Sequence, residues 1–180
     1  MKISSVVASI FFLLSGGSAS ADEAFDRTSS ANNKYITEGH WSVGGGASLS
    51  YNTSSGHGLE LSGYPSAQYF IMDHLSVGGE ASIAWNSNRS VLGLGPALTY
   101  YFAESEKAVW FVSEALFYSR YHYDSIGYGD FNTSNLSART SIGMNYFLTP
   151  SVAIGPRGAF TWNSRGADTF ALLFGIQIYF

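Results

Sequence analysis

The sequence predicts an all-β chain: an eight-stranded antiparallel up-and-down transmembrane β-barrel, preceded by a cleavable signal peptide. Three observations lead there. Of 180 residues, 46% are apolar and only 12% are charged, about half the charged share of an ordinary soluble domain. No run of apolar residues reaches the roughly 18 that a membrane-spanning helix needs. Beyond residue 39, apolar and small polar residues alternate in eight segments, and a period of two marks a strand with one apolar face. A membrane protein without helical spans must be a closed barrel, because only closure gives every backbone group a partner away from water.

The N-terminal segment has the flanks of an export signal. Lys2 precedes the apolar core Val6 to Leu14, and Ala19-Ser20-Ala21 fits the small-residue cleavage pattern. Cleavage is expected between Ala21 and Asp22, which makes residues 1–21 the signal peptide. Residues 22–39 carry Asp22, Glu23, Asp26, Arg27, Lys34 and Glu38 among Ser and Asn, and read as a polar, poorly ordered periplasmic leader. Residues 40–180 form the barrel domain.

The first strand presents Trp41, Val43, Gly45, Ala47, Leu49 and Tyr51 on one face, with Ser42, Gly44, Gly46, Ser48 and Ser50 between them. The second presents Leu59, Leu61, Gly63, Pro65, Ala67, Tyr69 and Ile71. The third shows Leu75, Val77, Gly79, Ala81, Ile83 and Trp85; the fourth shows Leu92, Leu94, Pro96, Leu98, Tyr100 and Phe102. The fifth presents Val109, Phe111, Ser113, Ala115, Phe117, Ser119 and Tyr121. The sixth runs Leu136, Ala138, Thr140, Ile142, Met144, Tyr146, Leu148, and the seventh Val152, Ile154, Pro156, Gly158, Phe160, Trp162. The eighth runs Phe170, Leu172, Phe174, Ile176, Ile178, Phe180. None of these positions is charged. A soluble sandwich would carry Lys and Glu on its outer face, whereas here the second face is small and polar.

The connections fall into two sets. Ile71–His74, Ala103–Lys107 and Leu148–Ser151 are short turns, while Asn52–Gly56, Asn86–Ser90, Tyr123–Ser134 and Asn163–Asp168 are polar loops. Eight strands put both termini on one side, expected to be periplasmic. Tyr69, Tyr100 and Tyr146 recur where even-numbered strands leave the hydrocarbon, as a periplasmic aromatic girdle. Pro65, Pro96 and Pro156 fall inside strands and are expected at bulges, since each lacks a ladder donor.

The opposite face carries Glu60, Glu80, Glu114, Arg120, Arg139 and Arg157. Three acids and three bases would make a charge-balanced lumen network, and an eight-stranded barrel is filled by side chains rather than open. Buried charges persist when paired. The structural reading is an ionic plug, and the functional one is a gate or proton path. Which Glu meets which Arg depends on strand register.

The ending Phe174, Gly175, Ile176, Gln177, Ile178, Tyr179, Phe180 resembles the terminal strand of bacterial outer-membrane proteins. Residues 40–180 as a whole resemble the small eight-stranded outer-membrane β-barrel family, of the OmpX/Ail and OmpA-barrel kind. That resemblance implies an integral outer-membrane location and contact with outer-membrane lipid. It implies periplasmic chaperones and the barrel-assembly machinery as partners in biogenesis. Gly175, Ile176, Ile178, Tyr179 and Phe180 would be the assembly signal.

Function is less legible than fold. With no Cys there is no disulfide framework, thiolate metal site or Cys nucleophile. A net charge of −4 argues against a nucleic-acid partner. No cofactor is expected. His40, His57 and His74 are scattered at strand ends, so no metal centre is expected either. Some barrels of this family modify lipid A, but the deacylase pattern of His followed closely by Ser-Asn is missing. His122, Asp124 and Ser125 are the one catalytic candidate, and neighbours on a strand point to opposite faces. The expectation is a monomeric, non-catalytic barrel with a structural or surface-interaction role. A lipid A-modifying enzyme, or an adhesin acting through the loop 123–134, is the alternative.

Overall fold

A computed structural model describes residues 35–52, 58–86, 89–123, 131–164 and 168–180. The signal peptide and its Ala21–Asp22 junction lie outside the described residues, as does most of the polar leader.

Eight strands form one closed sheet: β1 (Trp41–Asn52), β2 (Gly58–Met72), β3 (Leu75–Asn86), β4 (Arg89–Glu104), β5 (Ala108–Tyr123), β6 (Phe131–Thr149), β7 (Val152–Asn163) and β8 (Thr169–Tyr179). Every strand pairs antiparallel with its sequence neighbours. Closure comes from β1 and β8, with Ser42 opposite Tyr179 and Ala47 opposite Phe174. Trp41 and Phe180 exchange two backbone hydrogen bonds of 2.7 and 3.0 Å just beyond β8. No sheet edge is left, as hydrocarbon requires.

The outer wall is apolar and exposed. Leu49, Leu94 and Leu172 are 66, 68 and 74% exposed, and Val43, Leu61, Ile71, Ile83, Leu92, Leu116, Leu136, Ile142, Ile176 and Ile178 continue the band. Soluble monomers rarely expose contiguous apolar patches beyond a few hundred Å²; a wall of this kind needs lipid. Aromatic rings border the band. Trp41, Tyr100, Trp110, Tyr146 and Phe180 stand outward near the end that holds both described termini, where the Trp41 ring packs on Tyr69 at 5.1 Å. Trp85, Tyr118 and Phe170 stand outward toward the opposite end.

Seven strands face as the sequence predicts; β5 is reversed. Val109, Phe111, Ser113, Ala115, Phe117 and Ser119 are buried in the lumen, while Trp110, Leu116, Tyr118 and Arg120 are exposed on the wall. Both rows of β5 are rich in large apolar residues, so hydrophobicity alone does not choose between them. The serines do. Ser42, Ser62, Ser66, Ser76, Ser137 and Ser141 are all buried in the lumen, and on β5 the serines are Ser113 and Ser119. The consequence is that Glu114 and Arg120 leave the lumen network predicted for them.

The prolines do not sit at bulges. Ladder pairing stops between Gly63–Ile83 and Ser66–Glu80 around Pro65, between Leu94–Tyr118 and Ala97–Ala115 around Pro96, and between Gly143–Arg157 and Tyr146–Ile154 around Pro156. Each gap spans equal numbers of residues on both strands, so none is inserted. The missing N–H opens the ladder on one side, while the ladder on the other side stays in register at Gly45–Pro65, Gly79–Pro96 and Pro156–Phe174. Register shifts fall instead beside the short turns, at Phe70/Met72, Tyr101/Ala103 and Phe147/Thr149.

The strands also run further than the alternation suggests. Phe131–Ser134, expected in the loop 123–134, begin β6, and Tyr123 ends β5. Residues 124–130, with Asp124, lie outside the described residues. At the terminal end, Ile36 from the supposed leader is 1% exposed and packs with Phe70, Tyr101, Val109, Phe111, Phe147, Ala153 and Tyr179. His74 N–H donates to its carbonyl at 3.0 Å, and Gly39 N–H donates to Phe70 O at 3.0 Å. The chain before β1 thus folds under the β2–β3 hairpin and stoppers that end of the barrel.

Candidate functional site

The lumen is built in layers. At the terminal end the apolar stopper around Ile36 comes first. Rings from several strands meet there: Phe70 lies 5.5 Å from Tyr101 and 6.3 Å from Tyr179, and Phe147 lies 5.4 Å from Tyr179. Tyr179 belongs to the predicted assembly signal, yet its side chain is 1% exposed, and its hydroxyl accepts from Asn145 Nδ2 at 2.8 Å. Ile176, Ile178 and Phe180 point outward, and Gly175 occupies the lumen row.

A polar layer follows. Ser66, Gln68, Thr99, Ser113, Asn145, Gln177 and Arg157 surround a small cavity. Ser76 donates to Gln68 Oε1 at 2.6 Å, and Thr99 donates to Ser113 Oγ at 3.0 Å. These short side chains leave room for one long residue from β7, and Arg157 takes it.

The third layer is ionic. Glu80 from β3 pairs with Arg139 from β6, across the barrel rather than along a ladder. Both are about 2% exposed. The Arg139 guanidinium lies 3.9 Å from the Tyr64 ring centroid and 4.8 Å from that of Phe117. Two rings stacked on the cation and one carboxylate beside it offset part of the cost of the water it has lost. This layer reaches across the lumen from β3 to β6.

Beyond it the lumen widens into a polar vestibule lined by Glu60, Ser62, Ser119, Tyr121, Asn135, Asn163 and their neighbours. Glu60 Oε2 accepts from Asn86 Nδ2 at 3.1 Å, and Ser164 Oγ donates to Asn135 Oδ1 at 2.5 Å. Of the six predicted lumen charges, Glu60, Glu80, Arg139 and Arg157 line the interior. Among these six described residues, the one ion pair is Glu80 with Arg139.

Glu114 faces lipid. It sits midway between Trp110 and Tyr118, opposite Leu98 on β4 and Thr140 on β6, and accepts from Thr140 Oγ1 at 2.6 Å. Arg120 is exposed on the same row beyond Tyr118, at the level where a long side chain reaches head groups. Of the catalytic candidate, only His122 lies among the described residues. His122 Nδ1 is 3.0 Å from Asn132 Oδ1, and Asp124 and Ser125 lie outside the described residues.

A closed eight-stranded antiparallel barrel with a lipid-facing apolar wall and a side-chain-filled lumen is a small transmembrane β-barrel, the fold of outer-membrane proteins. Solved structures share it at low sequence identity. The N-terminal β-barrel domain of OprF from Pseudomonas aeruginosa is similar with a TM-score of 0.61 and 11% identity, covering 79% of this chain and 98% of that domain. Neisserial surface protein A is similar with a TM-score of 0.57 and 18% identity, over 78% of this chain and 96% of that one. Ail, the attachment invasion locus protein of Yersinia pestis, follows with a TM-score of 0.55 and 14% identity, over 80% of this chain and all of that one. No protein-family model and no curated protein sequence matches the chain.

Proposed function

We propose that the protein is an integral outer-membrane barrel with a structural or surface-interaction role, and neither an enzyme nor an open pore. The observation that carries this reading is the Glu80–Arg139 layer: a buried ion pair beside the rings of Tyr64 and Phe117 occupies the middle of the lumen, where a pore would need water. Both termini face the periplasm in this reading, so the stopper closes the periplasmic mouth and the vestibule opens outside. Two of the neighbours are named a surface protein and an attachment invasion locus protein, which supports a role at the cell surface. Outer-membrane lipid is then the permanent partner. Periplasmic chaperones and the barrel-assembly machinery, reading the strand that ends in Phe180, act during biogenesis, and the barrel is monomeric.

The test is location and conductance. Expressed in a Gram-negative host, the protein should fractionate with the outer membrane and resist release without detergent. Purified and placed in planar bilayers, it should give at most small, irregular current events, because eight strands leave an interior just wide enough for side chains. Recovery in the soluble periplasm would remove the location. Large, stable conductance steps would remove the plug.

A further inference from the structure

Two guanidinium groups and one carboxylate lie in the middle of this lumen. Arg139 takes Glu80, and no described carboxylate pairs with Arg157. Arg157 is 9% exposed. Its Nε is buried without a hydrogen-bond partner among the described residues. Its guanidinium carbon lies 4.8 Å from the Phe111 ring centroid, against the apolar stopper. Arg139 is near enough to repel it. A buried cation in this position needs a counter-charge.

The side chains around the cavity beside Arg157 keep hydrogen-bond donors to spare. Ser113 Oγ accepts from Thr99, which leaves the Ser113 hydrogen free to donate. Gln68 Oε1 accepts from Ser76, which leaves the Gln68 amide hydrogens. Asn145 spends one amide hydrogen on Tyr179 and keeps the other. Gln177 adds a further amide to the lining. A positive group and surplus donors around a space on the order of one water molecule define a site for a small anion.

We propose that this cavity binds a monovalent anion of halide size, with chloride as its occupant, held by Arg157 and by the hydroxyl and amide donors of Ser113, Gln68 and Asn145. The anion neutralises Arg157 beneath the Glu80–Arg139 pair and completes the plug. This stands on the lumen packing alone and is independent of the outer-membrane address.

The full barrel purified in detergent with sodium gluconate is titrated with sodium chloride at constant sodium, and unfolding is followed by circular dichroism. The expected result is a saturable rise in Tm of about 5 °C, the size that mass action gives when a ligand reaches many times its Kd. Arg157→Met should lose the chloride response. If that variant fails to fold, the wild-type barrel crystallised in bromide decides, with an anomalous peak expected at hydrogen-bond distance from Arg157 Nε. A Tm indifferent to chloride together with no bromide peak would overturn the proposal and leave the cavity to water. So would a chloride response that survives in Arg157→Met.

Discussion

Glu80→Ala should destabilise the barrel by about 3–5 kcal/mol, because removing one partner of a buried ion pair leaves the other charged and unsolvated. The layer makes this loss severe. Arg139 would keep only the faces of Tyr64 and Phe117, with Arg157 a second cation nearby. Replacing both partners, Glu80→Ala with Arg139→Met, should recover most of the loss, since an apolar filling of similar volume carries no desolvation cost. Glu114 supplies the contrast. Sequence patterning puts it in the same network, where removal would cost as much. The structure puts it on the lipid face with Thr140 as its partner, so Glu114→Leu should stabilise the barrel by about 1–2 kcal/mol. Equilibrium unfolding in urea with lipid vesicles measures both, and two glutamates with opposite signs are what the two faces require.

The second large effect is expected at the proline gaps. Gly95 precedes Pro96 and Gly155 precedes Pro156. A Cβ built on Gly95 falls onto the carbonyl oxygen of Leu116, and one on Gly155 falls onto that of Met144. The contacts are to neighbouring backbone, which cannot swing aside as a side chain would. At these two positions the adjacent strand comes so close that only glycine tolerates the approach. Gly95→Ala should therefore cost about 3 kcal/mol through forced backbone displacement. Gly63→Ala, whose Cβ meets nothing within 4 Å, should change stability by no more than about 0.5 kcal/mol. A cost at Gly63 equal to that at Gly95 would mean that glycine acts through chain entropy and not through close approach.

Much of the fold was legible because one face of each strand must suit lipid. Leu172, Phe174, Ile176 and Ile178 leave the phase of β8 without an alternative, and β1 and β2 are nearly as clear. β5 was not legible from hydrophobicity, because its lumen row supplies Phe111 to the stopper and Phe117 to the Arg139 clamp. A lumen that is partly aromatic looks like a lipid face. Ser113 and Ser119 were the available signal, and they agree with the serines of the other strands. The Glu80–Arg139 pairing could not be read from sequence, since it joins β3 to β6 through barrel curvature and register. Nor could the placing of Ile36, a single apolar residue in a polar segment, whose meaning appears only when β2, β4 and β8 bring Phe70, Tyr101 and Tyr179 together beneath it. Once Glu114 and Arg120 move to the wall, two acids and two bases still line the interior, but Glu60 stands in the vestibule and no described carboxylate pairs with Arg157.

The central claim is that lipid surrounds this wall while side chains fill the interior, and β5 is where it can be tested most directly. Nitroxide labels at Leu116 and Phe117, in protein reconstituted into bilayers, report their surroundings by power-saturation electron paramagnetic resonance. The label at Leu116 should collide freely with oxygen, which concentrates in hydrocarbon, and hardly at all with a water-soluble nickel chelate. The label at Phe117, in the plugged lumen, should be shielded from both. High nickel accessibility at Leu116 would mean that the wall faces water, and the account of a transmembrane barrel would fail.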